Sequence, residues 1–281
     1  MVLLKIILII AAVLFVLFFL AIMPRMGHRK ARRAFKGVYY AHRGLFDNDG
    51  DAPENSLKAF ELAAKAGYGM EMDVQVTKDG VPVVFHDFTL ERMCGKEGKV
   101  CDYTWQELKD FTLAKSRETI PLFADVLKVV GGRVPLIVEI KVEWMDLSVC
   151  PAADELLRSY QGLYCIESFN PLVLLWYRRN HREIVRGQLS DGFVKASRLK
   201  ESWHLLVQNF LLQNLLFNWL TKPDFVAYNH KYEEVLARRL CKNLYGNMAV
   251  AWTIKSQEEL ERAKSKFDLF IFDSFLPDMG V

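Results

Sequence analysis

The sequence predicts an α/β fold, a (β/α)8-type barrel preceded by one N-terminal transmembrane helix. Eight short apolar, β-branched runs recur along the chain, segments with apolar residues at helical spacing lie between them, and one uninterrupted apolar stretch precedes them all. Alternating βα units specify a parallel sheet, either open and doubly wound or closed into a barrel, and the count of eight favours closure. At 281 residues the chain is long for a single domain, but barrels of about 250 residues are a common exception.

The apolar stretch is IILIIAAVLFVLFFLAIM, Ile6 to Met23, eighteen residues without a polar side chain. At about 1.5 Å per residue it spans roughly 27 Å, the thickness of a hydrocarbon core. A cleaved signal peptide competes with an anchor here, but it would carry its charge before the apolar run and small residues after it. Only Lys5 precedes the run, and PRMGHRKARR follows. The positive-inside rule then places the N-terminus outside and the rest of the chain in the cytoplasm. The expected organisation is a membrane anchor at 1–24, a basic juxtamembrane segment at 25–36 and a catalytic domain at 37–281, a single-pass protein of the cell membrane.

Charge supports that division. The formal net charge is +3, but seven of the 37 Lys and Arg residues and none of the 34 acids lie in residues 1–36, so the remainder is acidic overall. A domain of that sign without a basic stripe excludes nucleic acid as the expected partner. The five cysteines are odd in number and lack metal-type spacing, which suits a reducing compartment.

The expected strands are, in order, GVYYAHRG, GYGMEMDVQV, VPLIVEIK, LYCIES, EIVRGQL, DFVAYN, NMAVAWTI and FDLFIFDS. Residues 88–120 contain no clear barrel element and are expected to form an excursion, with a short helix that Thr104 and Glu107 start as a capping box. Residues 202–220 are apolar nearly all round and predict one long helix. It would either pack beneath other helices or lie in the membrane interface, where Trp203 and Trp219 suit the headgroup region.

Several strand ends carry chemistry. In MEMDV, Glu71 and Asp73 project to one face while Met70, Met72 and Val74 take the other, so the carboxylates either bracket a cation or face solvent on an edge. In LIVEIK, Glu139 and Lys141 share a face after an apolar interior, as an ion-binding pair or a simple salt bridge. Asp79-Gly80 predicts a two-residue type I′ turn, which would pair Thr77 with Pro82 and bring His86 opposite Asp73. YYAHRG ends in His42-Arg43-Gly44, an acid/base group beside a guanidinium fork suited to phosphate oxygens. His28, His181, His204 and His230 belong to no motif and are expected to be ordinary packing or surface residues.

His-Arg-Gly, APENSLKAF, EMDVQVTKDGVPVVFHD, IPLFADVL and VEIK occur in this order, and with them residues 37 to 275 resemble the glycerophosphodiester phosphodiesterase family. The resemblance implies a TIM-barrel fold and hydrolysis of glycerophosphodiesters to an alcohol and sn-glycerol 3-phosphate. It implies His42 and His86 as catalytic histidines, Glu71, Asp73 and Glu139 as metal carboxylates, and Arg43 and Lys141 as phosphate contacts. Glu54 would have a supporting role and Trp252 would form an aromatic wall. SFNP at 168–171 is a looser match. FDSFLP departs from the family's usual Thr-Asp-x-Pro ending, so Asp273 is given no ligand role.

An all-oxygen ligand set favours Mg²⁺ or Ca²⁺ over zinc. The expected substrate is a glycerophosphodiester at the membrane. Lysophospholipids, through lysophospholipase D-type hydrolysis, are the alternative, and a non-catalytic membrane-anchored binding protein is the least favoured.

Overall fold

The computed structural model describes residues 1–196 and 202–278. Nine strands form one sheet: β1 (Tyr39–His42), β2 (Gly69–Val76), β3 (Pro82–Val84), β4 (Leu136–Ile140), β5 (Tyr164–Ser168), β6 (Arg186–Ser190), β7 (Phe225–Asn229), β8 (Met248–Ile254) and β9 (Leu269–Phe272). Their order is β1-β9-β8-β7-β6-β5-β4-β2-β3, and a further β1–β2 pairing closes the circle. All pairings are parallel except β2–β3. Each of the eight predicted runs supplies one parallel strand of a closed barrel with helices around it, the TIM-barrel architecture.

Strand alternation divides the core into two layers. Met70, Met72, Val74, Leu136, Val138 and Ile140 pack outward with the helices in the larger apolar cluster. Tyr40, Ile137, Cys165, Leu189, Phe225 and Val250 belong to a second cluster, the barrel interior. Glu71, Asp73 and Glu139 alternate with the outward set, so they point into the barrel at the ends of its strands. Helix Leu57–Lys65 starts at Ser56, whose Oγ accepts the Ala59 amide at 3.1 Å. Residues 88–120 form the expected excursion over a third apolar cluster, and Glu107 Oε2 accepts the Thr104 amide at 2.7 Å as the capping box requires.

The apolar helix spans Val2–Ile22, long enough to cross a membrane, and is exposed until Phe18. Its last turn docks on the barrel: Ile22 is fully buried, its carbonyl accepts from Asn218 Nδ2 at 3.0 Å, and the Tyr245 hydroxyl donates to the Phe19 carbonyl at 2.8 Å. The 25–36 segment is built into the N-terminal end of the barrel. Arg25 N donates to Pro223 O at 3.0 Å, Arg32 Nη1 donates to Asp224 O at 3.0 Å, and buried Phe35 closes the interior beneath Tyr40, whose hydroxyl donates to its carbonyl at 2.8 Å.

Two local expectations are corrected. The β2–β3 hairpin pairs Val76 with Pro82 and Val74 with Val84, one residue away from the expected register. Its loop has three residues, closed by Thr77 N donating to Val81 O at 3.1 Å, with Gly80 at φ +78° in the left-handed region. The expected 202–220 helix is two helices, Trp203–Gln213 and Asn218–Thr221, separated where Leu215 takes φ +56°. Helix Trp203–Gln213 has no buried residue, so it is not a packed barrel helix.

Candidate active site

The site lies at the C-terminal ends of the strands, where β1 stops abruptly. Arg43 and Gly44 both take left-handed φ angles, +57° and +84°, and a side chain on Gly44 would fall 2.8 Å from the Ala59 backbone of the adjoining helix. Glycine alone fits there. The turn aims the Arg43 amide at Glu71 Oε2, 3.2 Å away, and sends its guanidinium to Glu54 Oε1 at 2.7 Å, with Nε 3.5 Å from Asp73 Oδ2.

Glu71, Asp73 and Glu139 are all buried, and each offers an oxygen within 4.8 Å of the others. Parallel pairing of β2 with β4 sets Asp73 beside Glu139. Lys141 Nζ sits 3.3 Å from Asp73 Oδ1 and 3.2 Å from Glu139 Oε1, so the Glu-Lys salt bridge exists within the same cluster. Asn55 Nδ2 donates to Asp73 Oδ2 at 2.9 Å.

The carboxylates are held unequally. Burial would raise the Asp73 pKa, but Lys141, His86 and Arg43 overcome it and keep that group ionised. Burial, followed by the charges of Asp73, Glu139 and Glu167, raises Glu71 well above its ordinary value. Burial likewise lifts Glu139 to about 7, against the pull of Lys141. Like charge at this density is what a hard cation would relieve, and the three carboxylates fit one.

The two histidines form matching dyads. His42 Nδ1 is 3.0 Å from Asp273 Oδ2, and its Nε2 is 4.0 Å from Glu71 Oε2. His86 Nδ1 is 2.6 Å from Asp87 Oδ1. Burial would raise the Asp273 pKa, but the His42 hydrogen bond brings it down to about 2. Burial also opposes ionisation of Asp87, and hydrogen bonds from Arg92 and His86 lower its pKa below the ordinary value. An ionised carboxylate only accepts, so each Nδ1 carries a proton and each Nε2 is left for chemistry. Burial lowers the pKa of both imidazoles, opposed by Asp273 at His42 and by Asp73 at His86.

His86 reaches the cleft without the expected cross-strand pairing. β3 ends at Val84, and Gln75 Nε2 then donates to the carbonyls of Phe85 at 2.7 Å and Asp87 at 2.8 Å, bending the chain inward. The resulting cleft, of about 170 Å³, is bordered by His42, Arg43, Glu71, His86, Glu139 and Trp252. Glu54 lies behind it, accepting from Arg43, Arg92 and Asn48, which hold its pKa at about 2 although burial opposes them.

Other residues of the cleft carried little or no sequence signal. Glu167 is paired with Glu139 across β4–β5, is 1% exposed and has an unpartnered Oε2. Burial and its acidic neighbours raise its pKa well above the usual range. Phe169 packs edge-on against Trp252 at 5.6 Å and Phe193 at 6.0 Å, extending the predicted aromatic wall. Asp273, given no ligand role, is outside the triad and orients His42 instead. His28, His181 and His230 contact Asp224, Asp154 and Glu259, and the His204 ring lies against that of Trp203; none of the four borders the cleft.

The profile of the glycerophosphoryl diester phosphodiesterase family matches residues 42–274. The chain belongs to that family. It is 30% identical over 242 residues to a glycerophosphodiester phosphodiesterase of Caldanaerobacter subterraneus, covering 81% of this chain and 89% of the relative. It is 25% identical to human glycerophosphodiester phosphodiesterase 1, covering 86% of this chain and 77% of the relative. Among solved structures, an Oleispira antarctica phosphodiesterase in complex with the product sn-glycerol-3-phosphate matches with a TM-score of 0.66 and 26% identity, over 87% of this chain and 95% of that one. The chain is a phosphoric diester hydrolase, a glycerophosphodiester phosphodiesterase.

Proposed function

We propose that the enzyme is a membrane-anchored, cation-dependent hydrolase that cleaves glycerophosphodiesters to an alcohol and sn-glycerol 3-phosphate by two-histidine acid/base catalysis. The observation that carries this reading is the convergence of three buried carboxylates with two carboxylate-held histidines in one cleft. Glu71, Asp73 and Glu139 would hold Mg²⁺ or Ca²⁺, which when bound stabilises negative charge developing on the phosphoryl oxygens. Arg43 and Lys141 add fixed positive charge around the phosphate. One Nε2 removes the proton of the attacking group, either water or the substrate's own hydroxyl, and the other protonates the leaving alcohol. In the second case water then opens the cyclic phosphate to sn-glycerol 3-phosphate. Trp252 and Phe169 flank the organic part of the diester.

The test is product analysis of the purified full chain on glycerophosphocholine and glycerophosphoethanolamine, with and without chelator. Release of sn-glycerol 3-phosphate that stops on chelation and returns with Mg²⁺ or Ca²⁺ is expected. Undiminished turnover after complete chelation would end the cation assignment. The anchor reading, with the barrel on the cytoplasmic side, is tested by alkaline extraction of membranes and by protease access to the barrel in sealed cells.

Hydrolysis of lysophospholipids is a second reading, favoured by one feature. The Phe169, Trp252 and Phe193 wall leads toward helix Trp203–Gln213, which follows β6 and exposes Leu206, Val207 and Phe210. An acyl chain suits such a path. Faster turnover of lysophosphatidylcholine in micelles than of glycerophosphocholine would select it over the deacylated substrate.

A further inference from the structure

The barrel end opposite the cleft carries a second concentration of like charge. Helix Arg29–Arg33 and the residues after it meet the last turn of helix Leu236–Asn243 around a hollow of about 340 Å³. Arg29, Arg32, Arg33, Lys36 and Lys242 line it, and among the described residues Asp268 is the only carboxylate that does.

That carboxylate is already engaged. Asp268 Oδ1 accepts from Lys36 Nζ at 2.8 Å and Oδ2 accepts the Ala249 amide at 2.9 Å, leaving Lys242 Nζ 4.0 Å away. Arg29 and Arg33 have no ion-pair partner among the described residues. Arg32 is 4% exposed and spends one N–H on the Asp224 carbonyl. Burial lowers its pKa, and the neighbouring Arg29 and Arg25 add to that effect while Asp224 opposes it. Burial also lowers Lys242, with Arg238 and Lys36 adding to it against Asp268. The field in the hollow is positive and unbalanced.

Its position names a source of anions. Tyr245, hydrogen-bonded to the Phe19 carbonyl in the last turn of the apolar helix, is the neighbour of Gly246, which lines the hollow. If that helix spans a bilayer, the hollow lies at the level of the headgroups, where clustered Lys and Arg attract anionic lipid.

We propose that this hollow binds the phosphate group of an anionic phospholipid headgroup, held by the guanidinium forks of Arg29 and Arg33 and by the Lys242 ammonium. The inference rests on the anchor reading above. It assigns the basic juxtamembrane residues a built pocket in place of diffuse attraction, and it seats the base of the barrel on the membrane with the cleft at the far end.

The experiment uses the purified full chain in neutral detergent micelles. Native mass spectrometry follows retention of short-chain phosphatidylglycerol, with short-chain phosphatidylcholine and inorganic phosphate as separate arms. One phosphatidylglycerol should be retained in preference to phosphatidylcholine. The triple variant Arg29→Gln, Arg33→Gln, Lys242→Gln should lose about a hundredfold in affinity, at about fivefold per charge removed. Lys242→Gln alone should lose about fivefold, which serves if the triple variant misfolds. Turnover of a soluble diester should not change, because none of the three residues borders the cleft.

Equal retention of both lipids, or unchanged phosphatidylglycerol affinity in the triple variant, would overturn the proposal. Displacement of phosphatidylglycerol by equimolar inorganic phosphate would reassign the hollow to a soluble anion and overturn the lipid assignment. Alkaline extraction separates the two readings. Release of the chain from membranes defeats the anchor, whereas lipid selectivity in micelles reports on the hollow alone.

Discussion

The two ends of this barrel each gather charge of one sign, but in opposite surroundings. At the C-terminal ends of the strands, Glu71, Asp73, Glu139 and Glu167 are buried beneath a narrow cleft. At the N-terminal ends, Arg29, Arg33, Lys36 and Lys242 ring a wider hollow beside the apolar helix. Buried acids at this spacing cannot remain ionised unaided, so they call for a discrete cation at fixed distances. Cations around an open hollow are partly screened from one another by solvent and, in the proposal above, take a single headgroup phosphate. On the readings proposed above, the same physical problem has a catalytic answer at one end and an attachment answer at the other.

Breaking the acidic end should have the largest effect. Glu71→Gln is expected to lower kcat/KM by about 10³-fold, the scale of removing one electrostatic stabiliser of the transition state. It should also raise the melting temperature of the chelated protein, because the substitution removes a carboxyl whose burial beside Asp73 and Glu139 is unfavourable without a cation. Activity lost together with stability would indicate that Glu71 is a structural group.

Asp273→Asn comes next, at about a hundredfold in kcat from misplacement of the His42 ring. A purely structural role would not move the pH profile. Asp273 raises the His42 pKa against burial, so its neutralisation should shift the limb governed by His42 to lower pH. A pH profile unchanged in shape would remove Asp273 as the positioning group.

Glu54→Gln tests the shell behind the cleft. Glu54 titrates at about 2 in the folded protein against an ordinary 4.5. Its stabilisation is therefore fully present above pH 4.5 and is lost as pH falls through about 2. The difference corresponds to roughly 3 kcal/mol at neutral pH. Denaturant unfolding of wild type and variant should differ by that order at pH 7 and converge near pH 2. A constant difference across that range would assign the loss to packing.

Much of this contrast is legible in the sequence, and the failures have local causes. The eight barrel strands are recognisable because each is an apolar run ended by polar residues, and the inward direction of Glu71 and Asp73 follows from alternation with Met70, Met72 and Val74. The hairpin register does not follow from Asp79-Gly80, because contacts from the excursion select the loop. Trp105 N donates to Asp79 Oδ1 at 2.9 Å, and Lys78 N donates to Tyr103 O at 2.8 Å. Thr77 Oγ1 accepts the Val81 amide at 3.0 Å, completing the three-residue loop. Helix 202–220 breaks where Asn218 must meet the Ile22 carbonyl, a partner 196 positions away. Glu167 enters the site through the register of β4 against β5, which no local pattern encodes.

Salt provides the smallest effect on catalysis and the sharpest separation of the ends. At 1 M ionic strength the Debye length is about 3 Å, so attraction between a lipid phosphate and the open basic hollow should largely vanish. The acidic cluster is buried, with Lys141 within 3.3 Å of both Asp73 and Glu139, and such contacts are screened far less. Raising NaCl from 0.1 to 1 M should weaken phosphatidylglycerol retention by about tenfold or more while changing kcat on glycerophosphocholine by less than about twofold. If kcat falls in step with lipid retention, the two ends are coupled, and binding at the base of the barrel would then act on the cleft.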